Sequence, residues 1–387
     1  MLTKDIIFKN FINKKKYNVL AKDLKLFIDK NNDLIKSLGT NYKYSYTKKI
    51  ISKYFKLPII RIIGMGGSIL GTEAIYDFLS HKINKKIYFE NNLKKNLKPI
   101  IKKKRLLNLI VSKSGNTLET ITNVNLLVKK NYKNIFITEN SDSYLKKLAK
   151  NLKAEIVDHN NYIGGRYSVL SEVGMLPAEL MGLKEKKFKQ FNNLIKDKKF
   201  LNQLIQNVGN IIDLKKNGRL NSIILNYDES SDNLFRWYQQ LVAESLGKKS
   251  KGILPIIATM PKDNHSTMQL YLDGPKNSFY TFFFVIDKDT PKINKNKIFQ
   301  SHNYLKNKNI NQILYAQKIA TEKVFHKKKI PFRSLEVFNR SEETLGKLFC
   351  FFILETILLG RAMNINPFDQ PSVELIKVET KKFLFKS

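Results

Sequence analysis

The chain has 387 residues, of which 42% are hydrophobic and 11% aromatic, so it can bury two or three domain cores and is not disordered. Its net charge of +36 comes from 69 Lys and Arg residues against 33 Asp and Glu residues. These lysines run along the whole chain together with Ile and Asn, without a nucleic-acid-binding module, so we expect no nucleic-acid partner. The single cysteine, Cys350, excludes a disulfide framework and is typical of a reducing, cytoplasmic location.

The first 150 or so residues predict a helical cap followed by an α/β domain. Residues 1–45 are rich in Lys and Asn, and their loose helical periodicity predicts an N-terminal helical segment. From Leu57 onward, short apolar strands alternate with helical segments, which is typical of βαβ units in a parallel sheet. The first domain is placed over 46–185. Its predicted strands are Ile59–Ile63, Ile87–Glu90, Leu107–Val111, Asn134–Thr138 and Ala154–Asp158.

The same alternation begins again after a long polar stretch near Phe188 to Leu214, which predicts a second domain over 186–365. Predicted strands here are Ser222–Leu225, Ile253–Ala258, Tyr280–Ile286 and Leu335–Phe338, and predicted helices are Asp232–Leu246, 308–328 and 343–361. The fold class is therefore α/β, with two tandem doubly wound parallel-sheet sandwiches and helical segments at both ends, the second over 366–387. The longest apolar run is interrupted by Glu355 and is too short for a bilayer, so no membrane association is expected.

A glycine-rich loop, Gly64–Gly71 (GMGGSILG), follows the first predicted strand and precedes a helix. Glycines at such a turn let a ligand approach the backbone, and the helix N-terminus favours an anion. Glu90 stands where a ribose-binding acid would lie in a dinucleotide-binding protein. However, the third glycine of G-x-G-x-x-G is replaced by Ile69, which disfavours a nicotinamide cofactor. An anion site and a turn without a ligand both stay open.

A second loop, Ser112–Thr117 (SKSGNT), follows the third predicted strand and is rich in hydroxyl groups. Its three hydroxyls and the free N–H groups of the next helix suit a phosphate, and Lys113 adds positive charge. The P-loop signature is absent, so a nucleoside triphosphate is not expected. Because Ser and Thr also cap helices without any ligand, a phosphate site and an ordinary helix cap are both open interpretations.

Candidate acid–base groups are found in separate parts of the chain. Glu244 lies in the last turn of a predicted helix, where the helix dipole and partial burial favour proton uptake, although a surface carboxylate is the alternative. His265 lies at a loop-to-helix junction, and no second His or Cys stands at ligand spacing, so no metal site is predicted. Arg166 follows two glycines, a setting that suits contact with an oxyanion. Nothing local distinguishes Lys377 from the many other lysines.

Six blocks in this order resemble the phosphoglucose isomerase (glucose-6-phosphate isomerase) family. They are GMGGSILG, SKSGNTLET, GGRYSVLSEVGMLPAEL, QQLVAESLGKKSKG, DNHSTMQLYLDGP and NPFDQPSVELIK, and they span residues 64–377. The resemblance implies two sugar-isomerase (SIS) domains, a cytoplasmic homodimer with active sites at the subunit interface, and a role in glycolysis and gluconeogenesis. It implies interconversion of glucose 6-phosphate and fructose 6-phosphate through an enediol intermediate, without a metal or cofactor.

The resemblance also implies individual roles. Glu244 would move a proton between C1 and C2, Arg166 would stabilise the enediolate, and His265 would assist ring opening from the neighbouring subunit. Lys377 would complete the catalytic set. The implied substrate-binding residues are Gly66, Gly67, Ser68, Ser112, Lys113, Ser114, Thr117 and Gln370. The chain departs from the family's usual pattern at three positions: relatives commonly have Thr where Ser114 and Asn116 stand, and Gly where Ser372 stands.

Two related functions stay open. One is a bifunctional isomerase that also accepts mannose 6-phosphate. The other is a non-enzymatic SIS-type regulator that binds a sugar phosphate. A regulator would keep the hydroxyl-rich loop but has no need of Glu244, Arg166 and His265 together, so their joint presence argues against it.

Overall fold

The computed structural model describes residues 1–11, 15–29, 33–96 and 105–386, and its strands form two five-stranded sheets. The strands are β1 (Ile6–Lys9), β2 (Ile59–Ile63), β3 (Lys86–Glu90), β4 (Leu106–Val111), β5 (Lys133–Thr138), β6 (Glu155–Asp158), β7 (Asn221–Asn226), β8 (Leu254–Thr259), β9 (Ser278–Val285) and β10 (Phe332–Val337).

The helices connect and cover these strands. They are α1 (Asn18–Asp29), α2 (Asp33–Leu38), α3 (Lys48–Tyr54), α4 (Leu70–Phe78), α5 (Leu118–Leu127), α6 (Tyr144–Asn151), α7 (Glu172–Leu180), α8 (Glu185–Phe188), α9 (Phe191–Leu194), α10 (Lys198–Lys216), α11 (Asp232–Leu246), α12 (Met268–Asp273), α13 (Ile310–Lys327), α14 (Glu342–Ala362) and α15 (Val373–Lys386). Short 3-10 turns lie between several of them.

The first sheet has the strand order β3-β2-β4-β5-β6, and all its pairs are parallel. Parallel sheets are covered by helices on both faces, so their inner strands read as continuous apolar runs, and every residue of β2 and β4 is indeed buried. Ile63 at the end of β2 pairs with Ile110 near the end of β4. The loops that follow these two strands therefore leave the sheet side by side at its carboxyl edge, where ligands bind in open α/β folds.

The second sheet has the order β1-β10-β9-β7-β8 and is parallel except for β1. The strand β1 runs antiparallel to β10, with Ile6 opposite Val337. Within residues 1–45 the sequence predicted only helix, and it missed this edge strand because four residues carry too little alternation to reveal one. The predicted α/β fold class is otherwise confirmed, whereas the domain boundaries near residues 45, 185 and 365 stay predictions.

The helix α14 is buried along almost its whole length and packs against α1, α8, α10 and α11. A fully buried ion pair fixes it to the second sheet: the guanidinium of Arg333 on β10 contacts the carboxylate of Glu355 on α14. The hydroxyl of Tyr238 on α11 donates to Glu355 at 2.8 Å, and Arg333 donates to Asn207 on α10 at 2.8 Å. This shared network holds α11 in place. In the described ranges, no helix is long and apolar enough to cross a membrane.

The helix α11 also packs along α4, the helix that follows β2 in the first sheet. Because β2 leads into the glycine-rich loop and then into α4, this packing brings a helix of the second half of the chain against that loop. The candidate site is formed at this contact.

Candidate active site

The glycine-rich loop and the hydroxyl-rich loop are in direct contact. A Cβ atom added to Gly64 would lie 2.9 Å from the carbonyl oxygen of Val111, the last residue of β4. Gly66, Gly67 and Ser68 then form one 3-10 turn before α4, and Gly66 has a φ of +52°, a value that favours glycine. The two loops thus form one surface at the carboxyl edge of the first sheet.

The hydroxyl-rich loop presents two side chains to each other at the start of α5. The hydroxyl oxygens of Ser112 and Thr117 lie 3.1 Å apart, and Ser112 is almost fully buried. Thr117 occupies the N-cap position of α5, yet its side chain makes no capping hydrogen bond. The first N–H groups of α5 therefore donate no hydrogen bond to this cap side chain, which is the arrangement that favours an anion.

Hydrogen bonds and an ion pair within the protein fix the other residues of this loop, Lys113, Ser114 and Asn116. Lys113 donates to the carbonyl oxygen of Asn161 at 2.6 Å and pairs with Glu139 at 3.3 Å. Ser114 accepts a hydrogen bond from the backbone of Asn116 at 3.3 Å. The side-chain oxygen of Asn116 in turn accepts from the backbone N–H of Tyr144 at 3.0 Å, which joins the loop to α6. Asn116 therefore has a structural role of its own in this loop.

A close backbone contact joins the glycine-rich loop to the segment that carries Arg166. A Cβ atom on Gly67 would lie 2.2 Å from the carbonyl carbon of Gly165 and 2.5 Å from the backbone nitrogen of Arg166. Only glycine fits at position 67 without a shift of this backbone. The Arg166 side chain that follows is nearly fully buried.

Every N–H group of the Arg166 guanidinium has a protein partner. An arginine has five such donors, and the five acceptors come from α11 and from the segment after α14. They are Ser245 Oγ at 2.8 Å from Nε, Gln370 Oε1 at 2.9 Å and Glu244 Oε2 at 3.4 Å from Nη1, and the carbonyl oxygens of Pro367 at 2.7 Å and Asp369 at 3.0 Å from Nη2. The guanidinium is thus the point at which three parts of the chain meet.

Glu244 lies in the last turn of α11 with its carboxylate between two nitrogen donors. Gln240, one turn earlier, donates to Glu244 Oε1 at 2.9 Å, while Arg166 contacts Oε2. The side chain keeps 28% of its surface exposed, so a ligand can reach it. A Cβ atom on Gly66 would lie 2.7 Å from Gln240 Nε2, so the glycine-rich loop lies directly against this pair. Through Gln240, Glu244 is therefore next to the glycine-rich loop, whose Gly64 packs on Val111 just before the hydroxyl-rich loop.

The structure does not bring His265 or Lys377 into this group. His265 ends the 3-10 turn Lys262–His265 after β8 and is exposed, and no hydrogen bond or ion pair among the described residues joins it to Arg166 or Glu244. The ammonium of Lys377 pairs with Glu374 at 2.6 Å on α15, a helix that is almost entirely exposed. Gln370, by contrast, is in place on Arg166. Across the described ranges, no three His, Cys, Asp or Glu side chains gather as metal ligands would.

Sequence reasoning missed several side chains of this site. Gln240 could have been found, since it stands four residues before Glu244 on one helix face. Ser245 and Tyr167, whose hydroxyls lie 2.8 Å apart beside Arg166, carried no local signal because their partners are 78 residues away. Lys248 belongs to the block QQLVAESLGKKSKG, but nothing in the sequence indicated that its ammonium binds the carbonyl oxygen of Asp369, next to Gln370.

Comparison with known proteins identifies the family. The family model described as phosphoglucose isomerase matches residues 17–386, nearly the whole chain. The chain belongs to the phosphoglucose isomerase family. The family resemblance seen in the six sequence blocks is thereby confirmed.

Curated members of the phosphoglucose isomerase family match over most of their length. The glucose-6-phosphate isomerase of Methanocaldococcus jannaschii is 32% identical over 337 residues, covering 81% of each chain. That of Mycoplasmopsis pulmonis is 30% identical over 430 aligned positions, covering 98% of each chain.

Solved structures share the fold. A hypothetical protein from Thermus thermophilus superposes with a TM-score of 0.82 at 22% identity, covering 95% of this chain and 94% of that one. A glucose-6-phosphate isomerase from Chlamydia trachomatis superposes with a TM-score of 0.67 at 18% identity, covering 97% and 80%.

Proposed function

We propose that this member of the phosphoglucose isomerase family interconverts glucose 6-phosphate and fructose 6-phosphate, with Glu244 as the base. One observation carries the proposal: the carboxylate of Glu244 is held between Arg166 and Gln240, and Gln240 lies against the glycine-rich loop, which in turn packs on Val111, the residue before Ser112. A base, a cation and a candidate phosphate anchor therefore line one surface. A sugar-phosphate-binding regulator has no need of the base and the cation together.

The phosphate group of the substrate is proposed to bind at the hydroxyl-rich loop. The hydroxyls of Ser112 and Thr117 and the first N–H groups of α5 supply the hydrogen bonds, since the N-terminus of a helix favours an anion. Ser114 and Lys113 add a hydroxyl and a positive charge nearby. The turn Gly66–Ser68 offers backbone groups to the remainder of the sugar. This anchor fixes the position of the reacting carbons, which reduces the entropic cost of the chemical step.

The proposed chemical step is a proton transfer between C1 and C2 through an enediol. A carbon next to a carbonyl is a weak acid, so its deprotonation needs a positioned base and a cation for the developing oxyanion. The guanidinium of Arg166 contacts the carboxylate of Glu244, so the proposed cation and base are adjacent. Because all five donors of Arg166 are in use, the oxyanion must replace one partner. The contact to Glu244, at 3.4 Å, is the longest of the five.

We propose that a homodimer completes the site. His265 and Lys377 lie outside the Arg166–Glu244 group, and α15 leaves large apolar side chains without cover, which is typical of a surface that binds another protein. These exposed side chains are Val373, Leu375, Ile376, Val378, Phe383, Leu384 and Phe385. In the proposed dimer, the partner subunit's His265 opens the sugar ring and Lys377 reaches the substrate. A cytoplasmic location and the absence of a nucleic-acid partner belong to the same proposal.

Subunit complementation tests this dimer. Purified Glu244→Gln and His265→Ala proteins are each expected to be nearly inactive. After mixing and refolding, half of the dimers are mixed, and each holds one intact site, so about a quarter of the wild-type activity is expected to return. If both residues of a site came from one chain, no mixed dimer would contain an intact site and no activity would return.

The main experiment incubates the purified protein with fructose 6-phosphate and no added nucleotide, stops the reaction, and then measures the glucose 6-phosphate formed in a separate step. We expect turnover in the wild type. Glu244→Gln is expected to fold normally and to lose roughly 10²–10⁴-fold in kcat, the range typical of a lost general base. Glu229→Gln, an exposed carboxylate just before α11, serves as the control and should keep full activity. Normal turnover by the Glu244→Gln protein would remove this residue from the reaction.

A further inference from the structure

The segment Asn366–Gln370 follows α14 and carries Gln370 onto Arg166; we call it the strap. Arg166 holds the strap through the carbonyl oxygens of Pro367 and Asp369, and the hydroxyl of Tyr167 donates to the same Pro367 oxygen at 3.0 Å. The ring of Tyr167 also lies 5.8 Å from that of Phe368. Two neighbouring residues, Arg166 and Tyr167, thus hold the strap through its backbone and through Phe368.

Lys248, two residues after the end of α11, also binds the strap. Its ammonium donates to the carbonyl oxygens of Asn366 and Asp369, the latter at 2.7 Å, and to Asp369 Oδ1 at 2.6 Å. An ammonium has three donors, so all three are used on the strap. The Lys248 side chain is only 10% exposed, which is unusual for a lysine. The interaction with Lys248 also holds the pKa of Asp369 below its usual value, so this carboxylate stays charged at neutral pH.

Hydrogen bonds within the strap and close packing on α14 also order it. Asn366 accepts from the backbone of Phe368 at 3.1 Å and donates to Asp369 at 3.0 Å. A Cβ atom on Gly360 of α14 would lie 3.0 Å from Pro367, so the strap passes close to this helix. The strap is thus a defined turn. Arg166 and Tyr167, which precede Glu244 in the sequence, and Lys248, which follows it, all bind the strap.

We propose that Lys248 is a positioning residue of the isomerase site: it holds the strap so that Gln370 stays on Arg166. Gln370 and Glu244 share the same guanidinium nitrogen, so a strap that moves away changes the partner set of Arg166 beside the base. The strap also leads directly into α15, which carries Lys377, so the same tether sets where that helix begins. This inference rests on the proposed function, although the tether itself does not.

Chemical rescue gives a sharp test of this role. In Lys248→Cys the ammonium is removed, and alkylation with 2-bromoethylamine restores a side chain of almost the same length and charge. The chain's own cysteine, Cys350, is fully buried, so the new thiol is the accessible one. Lys249→Cys, one residue later and exposed, is the matched control. The measurements are kcat, KM for fructose 6-phosphate, the melting temperature, and hydrogen exchange of peptides that cover 363–373.

We expect Lys248→Cys to lower kcat at least about tenfold and to change KM less, since none of the three hydrogen bonds of Lys248 goes to the phosphate anchor and the disturbed contacts surround Arg166 and the base. Hydrogen exchange of the peptides that cover 363–373 should become faster. Alkylation with 2-bromoethylamine should restore both kcat and the slow exchange of the wild type. Wild-type kcat and exchange in the unmodified variant would overturn the proposal, and so would a loss of kcat that modification fails to restore. If the wild type itself shows no isomerisation, the proposed function fails, while the exchange comparison still decides whether Lys248 holds the strap.

Discussion

Arg166 and Glu244 lie 3.4 Å apart although they belong to different halves of the chain. Arg166 follows β6, a strand of the first sheet. Glu244 lies in the last turn of α11, the helix that follows β7 of the second sheet. The pair exists only because α4 packs against α11 and because Gly67 lets the backbone at Gly165 approach. The site is therefore a product of the contact between the two sheets and their helices.

Replacing Arg166 with lysine should separate charge from geometry. Lysine keeps the positive charge but has three donors at one point, so it cannot bind Ser245, Gln370 and the strap together. We expect Arg166→Lys to lower kcat by roughly 10²–10³-fold, the range found when an oxyanion donor is lost. Steady-state kinetics with fructose 6-phosphate measure this, and Arg236→Lys on the exposed side of α11 is the control. A change in KM alone would contradict a role in the transition state.

Gly67 and Gly165 offer a test in which one contact is probed from both sides. A Cβ atom on Gly67 would overlap the backbone of Gly165 at 2.2 Å, whereas one on Gly165 would lie 3.8 Å from the nearest atom, Gly67 Cα. Gly67→Ala should therefore push Arg166 away from Glu244, lower kcat, and cost about 1–3 kcal/mol of unfolding free energy. Gly165→Ala should change neither. Urea unfolding and turnover of both variants measure this, and equal behaviour of the two would show that the close approach is unimportant.

Much of the fold could be predicted from the sequence because the inner strands carry strong local signals. The strands β2 and β4 are mostly Ile and Leu, each with one buried polar residue, Arg61 or Asn108, and they stop just before Gly64 and Ser112; such mostly apolar runs are typical of buried parallel strands. The strand β1 could not be found this way. Its four residues form a strand because they pair with β10, more than 300 positions later along the chain, and no local sequence pattern indicates that pairing.

The candidate site was predictable in its parts but not in its assembly. The two loops at the carboxyl edge follow from Gly and hydroxyl residues placed after strands. The contact between Arg166 and Glu244, 78 positions apart, has no local signature and was implied only by the family resemblance. The roles of His265 and Lys377 stay predictions, since no hydrogen bond or ion pair among the described residues joins either side chain to Arg166 or Glu244, and Lys377 pairs with Glu374 instead.

The hydroxyl group of Thr117 should contribute to substrate affinity. If it binds the phosphate with Ser112, Thr117→Val removes one hydrogen bond to a charged group, which is worth about 1.5–3 kcal/mol, or roughly 10- to 100-fold in KM. Thr122→Val on the same helix is the control, because its hydroxyl binds only the carbonyl oxygen of Leu118. Inhibition by inorganic phosphate should weaken in parallel with the rise in KM. An unchanged inhibition constant would place the phosphate elsewhere.

Lys189 should make the stability of the protein depend on pH. Its ammonium is buried against the rings of Tyr42 and Tyr44 and donates to the carbonyl oxygens of Ser37 and Leu170. Burial lowers the pKa of Lys189 from its usual 10.5 to about 7. Between these two values the unfolded chain binds a proton that the folded chain does not, so the contribution of this group to stability rises with pH.

Lys189→Met has no such group and supplies the reference. The free energy of unfolding of the wild type, minus that of Lys189→Met, should be constant below about pH 6 and should then rise by up to about 1.4 kcal/mol per pH unit as the pH approaches 10. Urea unfolding of both proteins across this range measures the difference. Because all other titrating groups are shared, they cancel to first order. A difference that stays flat, or that falls as the pH rises, would mean that the folded protein keeps Lys189 charged, with its bonds to Ser37 and Leu170 offsetting the burial of the ammonium.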